Sequence, residues 1–217
     1  MEFGFLEYSC VLQAESHNPT IINPDWLKMH GIVPQSWGLA QQPIIIPALA
    51  QIQFDSGVNF LLQEQKLIVS MIGDDPSLRE QIAESVARYA EVLPHTPYLG
   101  VGHNAKAGLE VPDANAALLE LVGDRLNLDR PLATASVKAS YVDVNGAVRN
   151  ITLAAGKASR QRPDEQEPTV VDIVLSDVNY HRECSSIEDI GAAVYCVDSD
   201  MENFARYMLL LGGKLGL

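Results

Sequence analysis

Two stretches of this chain place an apolar side chain at every second position, and that period constrains the fold more than any other feature. In the first, Ala48, Ala50, Ile52 and Phe54 alternate with Leu49, Gln51 and Gln53. Asp55-Ser56-Gly57 makes a turn, Val58, Phe60 and Leu62 resume the pattern, and Leu67 to Ile72 follow as a further strand. In the second, Ala135, Val137, Ala139 and Tyr141 alternate with Thr134, Ser136, Lys138 and Ser140. Asn145-Gly146 is a type I′ hairpin signal, and Val148 to Ala155 return. Period two with short turns predicts antiparallel strands that bury one face.

Helical spacing occupies the rest. Asp75 caps and Pro76 opens a helix whose Leu78, Ile82, Val86, Tyr89 and Leu93 form one stripe. A shorter helix spans 112–122, and Asn23-Pro24 starts one inside an irregular arm at 15–42. Ser185 with Glu188, and Ser199 with Glu202, fit capping boxes ahead of two C-terminal helices. Residues 2–14, 97–109 and 169–178 read as strands, the second broken by Gly100, Gly102 and Gly108; residues 156–168 read as a polar loop.

The expected fold is one α+β domain over 1–217: a curved antiparallel sheet with helices on one face. Element order suggests pseudo-duplicated β-β-β-α halves at 43–123 and 133–217. The other face would be open, or covered by the arm or by a partner.

Composition removes several functions. Lys plus Arg is 15 against 28 Asp plus Glu, a net charge of −13. Such a chain repels phosphate backbones and anionic membranes, so direct nucleic-acid binding is disfavoured. No run approaches the roughly 20 apolar residues of a membrane span. The start lacks a signal-peptide pattern. Three scattered cysteines, Cys10, Cys184 and Cys196, read as reduced thiols in a cytoplasmic protein.

Candidate chemistry is sparse. His181, Cys184 and Cys196 resemble part of a zinc set, but zinc takes four ligands and no CxxC is present. Gly100-Val101-Gly102-His103-Asn104 lacks the helix that a dinucleotide loop must open, so it reads as a strand against which another backbone packs. His103 or His181 with Cys10 or Cys184 would be needed for thiol hydrolysis, without a local signature. The acidic pairs sit where helices begin, which the macrodipole explains. Trp26 and Trp37 lie in the arm, which is either a lid on the sheet or a surface for a partner.

The resulting expectation is a non-catalytic interaction protein or complex subunit, without cofactor or metal. It would bind a protein partner or a second copy through its sheet face, its edges or the tryptophan arm. The alternative is a small-molecule-binding or hydrolytic domain with a pocket between sheet and helices, lined by His103, Asn104, His181 and Cys184.

Overall fold

The structure is a computed structural model; it describes residues 3–122, 136–143, 146–160 and 167–217. Nine antiparallel strands form one sheet. They are β1 (Gly4–Ala14), β2 (Ile44–Ile46), β3 (Leu49–Gln53), β4 (Asn59–Gln63), β5 (Lys66–Ile72), β6 (Tyr98–Glu110), β7 (Ser136–Val142), β8 (Val148–Arg160) and β9 (Thr169–Glu183). Their spatial order is β2-β3-β4-β5-β1-β6-β9-β8-β7. The two central strands, β1 and β6, each lie beside the last strand of the meander that follows them, β5 and β9. Of the expected halves, β6 falls within 43–123 but pairs with β9 of 133–217.

Among the described residues, five α-helices accompany the sheet: α1 (Pro24–Met29), α2 (Pro76–Val92), α3 (Ala114–Val122), α4 (Ile187–Val194) and α5 (Val197–Lys214). Helix α2 packs on β1 and β5, α4 and α5 on β6, and α3 on β8 and β9. Asp75 accepts hydrogen bonds from the amides of Ser77 and Leu78, as its N-cap position requires. Of the expected stripe, Ile82, Val86 and Tyr89 are buried and Leu78 and Leu93 half-buried, and Ala83, Ser85, Ala87 and Ala90 widen the buried face.

Several boundaries differ from expectation. The glycines do not interrupt β6, which runs unbroken for thirteen residues. Residues 156–160 extend β8 rather than forming a loop, in register with 169–173 of β9. An ion pair between Lys157 and Asp172 (3.9 Å) and one between Arg160 and Glu110 hold that extension. The rest of the expected loop includes 161–166, which lie outside the described residues, as does Asn145 of the hairpin signal. Strand β9 continues five residues past its expected end. Helix α4 is capped by Ser186, one residue later than expected, and α5 begins two residues before Ser199 with no side-chain cap.

The arm packs back on the molecule, on the side that already carries the helices. Ile22, Leu27, Ile32, Val33 and Trp37 join the core. Trp37 packs against Phe54 (ring centroids 5.3 Å) and Trp26 against Tyr89 of α2 (6.3 Å). The arm therefore extends the helical layer beyond the reach of α2. The opposite face of the sheet has no such layer among the described residues.

Candidate functional site

Alternation in a strand sends consecutive side chains to opposite faces. His103 and Asn104 of β6 show the consequence. Through His103 runs a row of facing residues, Ile52, Phe60, Val69, Cys10, His103 and Tyr180, taken from six adjacent strands. All six are buried under the helices. One residue along, through Asn104, the row reads Gln53, Asn59, Ser70, Ser9, Asn104, Asn179, Asn150 and Ser140. Every member is uncharged and polar, and the row crosses eight strands of the uncovered face.

Five of those side chains are joined. The Ser140 hydroxyl donates to Asn150 Oδ1 (2.7 Å), and Asn150 Nδ2 donates to Asn179 Oδ1 (3.3 Å). Asn179 Nδ2 donates to Asn104 Oδ1 (2.8 Å), and Asn104 Nδ2 to Ser9 Oγ (3.3 Å). Stacked carboxamides of this kind are the side-chain ladder of cross-β assemblies, here built from five different strands of one chain.

Charged groups flank the row on one side. Lys106 Nζ pairs with Glu7 Oε2 at 3.1 Å. Asp177 faces Lys106 across β6 and β9. Partial burial pushes its carboxyl above the usual range; Lys106 lowers it less than burial raises it, and Glu7 adds to the rise. On the other side lies His181. A Cβ on Gly100 would stand 2.8 Å from His181 Cε1, and one on Gly102 would stand 2.7 Å from Asn179 Nδ2. At Gly100 the β9 backbone packs close, as expected, the Arg182 carbonyl oxygen lying 2.6 Å from where a Cβ would stand; with Gly102 it also forms a furrow that accepts side chains of the neighbouring strand. Glu7, Gly102, Asn104, Lys106, Asp177, Asn179 and His181 are among the residues that line a shallow depression of about 560 Å³.

The covered face holds a different polar group. Arg182 of β9 makes a bidentate pair with Asp200 of α5, both contacts 2.7 Å. Asp200 is 1% exposed. Burial works against the Arg182 charge, and the Asp200 carboxylate outweighs it. His103 Nδ1 lies 3.4 Å from Asp200 Oδ2. Burial, with Arg182 adding to it, holds the His103 imidazole at about 3, so it is neutral and the contact is not an ion pair.

Cys10 and Cys184 are placed unlike activated thiols. Cys10 faces His103 across the β1–β6 ladder, but both are fully buried. Burial pushes the Cys10 thiol up while it pushes the imidazole down, the reverse of what a thiolate–imidazolium pair needs. Cys184 is also buried, its thiol raised, with Sγ 3.6 Å from the Arg182 carbonyl. Among the described residues no three His, Cys, Asp or Glu side chains are grouped closely enough to hold a metal ion. No described helix is long and apolar enough to cross a membrane.

The five candidate binding residues therefore separate. Asn104 and His181 share the uncovered face. His103 lies beneath the helices, and Trp26 and Trp37 are in the arm, Trp37 only 7% exposed. The grouping of His103, Asn104, His181 and Cys184 in one pocket between sheet and helices does not occur, because 103 and 104 point apart. Ser9, Asn150, Asn179 and Ser140 had no motif to mark them. Their only signal is that each occupies the polar phase of its strand; the register that aligns them joins positions as far apart as Ser9 and Asn179.

No protein-family model matches this sequence, and no curated protein matches it.

Proposed function

We propose that the chain is a non-catalytic binding subunit that engages a protein partner through the uncovered face of its sheet. One observation supports this above the others: the connected row of Ser9, Asn104, Asn179, Asn150 and Ser140 at the centre of a face with no covering layer among the described residues. Each carboxamide in the row uses one N–H and one lone pair internally. A second N–H and a second lone pair remain on each, which suits the donors and acceptors of a polypeptide surface. The net charge of −13 favours a basic partner by long-range attraction. A cytoplasmic setting with reduced thiols belongs to the same reading.

A second reading is supported by the depression of about 560 Å³ on that face, which is within the size range of small-ligand sites. Its occupant would be a small polar molecule.

The test is affinity capture from the native cell with three baits: wild type, Asn179→Arg and Trp37→Phe. A stoichiometric partner held by wild type and Trp37→Phe but lost from Asn179→Arg is the expected result. A partner that ignores Asn179→Arg overturns the assignment of the face. Native mass spectrometry of the purified protein separates the two readings. A reproducible extra mass lost on denaturation would favour the small-molecule site.

A further inference from the structure

The charged residues are distributed very unevenly along this chain. Residues 31–63 contain a single charged side chain, Asp55, in a protein where 20% of residues are charged. Asp55 itself is engaged, accepting from the Gly38 amide at 3.0 Å. That stretch folds into β2, β3 and β4, so one end of the sheet is almost free of charge.

At its edge lies β2, with Pro43 and Pro47 immediately outside it. Ile44, Ile45 and Ile46 are 48%, 39% and 49% exposed. Three successive half-exposed isoleucines on an unpaired edge invite pairing; the shortness of β2 and its flanking prolines limit how far a ladder can grow there, but no charge opposes it. The opposite edge does carry charge: β7 has Lys138 between Ser136 and Ser140. The apolar surface also continues inward. Ile44 faces Gln51, and next to Gln51 come Leu61 and Ile68 on the same face.

We propose that β2 is the contact by which two copies of this chain associate, edge to edge and antiparallel about a twofold axis near Ile45. Two features select a second copy. First, copies of charge −13 repel, and this end is where their approach brings no like charges together. Second, a twofold contact needs one self-complementary patch, and an antiparallel strand paired with itself supplies it. Such a pair sets Ile44 and Ile46 of one copy beside Ile46 and Ile44 of the other. The flanking prolines lack the N–H needed to lengthen the ladder, so the contact stops at three residues. A contact this small makes a weak, concentration-dependent dimer. This association is independent of the partner reading above, since the amide row takes no part in it.

Sedimentation equilibrium of the full chain over a concentration series tests it. The wild-type mass should rise from 23.7 kDa toward twice that value. Ile45→Lys should stay monomeric throughout, with an unchanged circular-dichroism spectrum. If Ile45→Lys does not fold, Ile45→Thr keeps the β-branched shape and should raise the dimer dissociation constant at least about tenfold. A wild type that remains at 23.7 kDa at several hundred micromolar overturns the proposal and leaves the open-face reading intact. A dimer that survives both substitutions also overturns it.

Discussion

Ser9 and Cys10 are neighbours on β1, as are His103 and Asn104 on β6 and Asn179 and Tyr180 on β9. In each pair one side chain enters the covered row and the other the open row. The covered row is sealed under helices, and its polar member, His103, is held neutral. Five of the eight side chains of the open row satisfy their polarity laterally, strand to strand, while the Asn59 Oδ1 atom has no such partner. The difference shows that this sheet divides its work by parity. Burial on one side supplies most of the stability, at about 25 cal/mol per Å² of apolar surface. The other side contributes little stability and keeps unused hydrogen-bonding capacity.

Four experiments would break or sharpen that contrast. The largest effect is expected on the covered side. Asp200→Ala strands the Arg182 guanidinium, and removing one partner of a buried pair costs about 3–5 kcal/mol. Chemical denaturation measures it, and a loss under 1 kcal/mol would show that Arg182 reaches solvent instead.

Next is the pH dependence of His103. An unfolded histidine binds its proton near pH 6.5. The folded one refuses it until about 3. The unfolded state therefore holds more protons in that window, so stability falls as pH drops from about 6.5 toward 3, by a few kcal/mol. His103→Leu should flatten the slope. Part of it should persist, because burial also lowers His17. An unchanged curve would mean that His103 is not the group responsible.

Third, Gly100→Ala places a Cβ 2.6 Å from the Arg182 carbonyl oxygen, which is backbone and gives way poorly. A cost of about 1–3 kcal/mol is expected. The His181 imidazole resonances should move with it, and their staying fixed would argue against the furrow.

The smallest effect is on the open side. Asn104→Ala and Asn179→Ala should each cost about 0.5–1.5 kcal/mol. Their double-mutant cycle should show a coupling of at least about 0.5 kcal/mol. Strict additivity would mean that the row is not connected in solution.

What the sequence reveals follows the same division. The period of two shows that half of each strand is buried, and Asp75-Pro76 with its stripe marks α2. Neither says which strand neighbours which. Asn104 and Asn179 stand 75 positions apart, and only the β6–β9 register brings them together. The edge strand β2 was hidden for another reason: three residues between two prolines are too short to show a period. The glycines of β6 were legible as a place of close backbone approach, which Gly100 meets at the Arg182 carbonyl; that the His181 and Asn179 side chains also rest on Gly100 and Gly102 depends on the β6–β9 register. The tryptophan arm was legible as something that packs, but its side of the sheet was not.

The amide row also has a sense of direction. Every bond in it runs the same way, donor on the β7 side and acceptor on the β1 side, beginning and ending on a hydroxyl. Hydroxyls at both ends can each give or take a proton. Turning over all three carboxamides together would therefore keep every bond, whereas turning over Asn179 alone would set like against like at both neighbours, and turning over Asn150 or Asn104 alone would do so at one. The five side chains behave as a single element with two equivalent settings. A group docking over Ser9 or over Ser140 would choose the setting for the whole width of five strands.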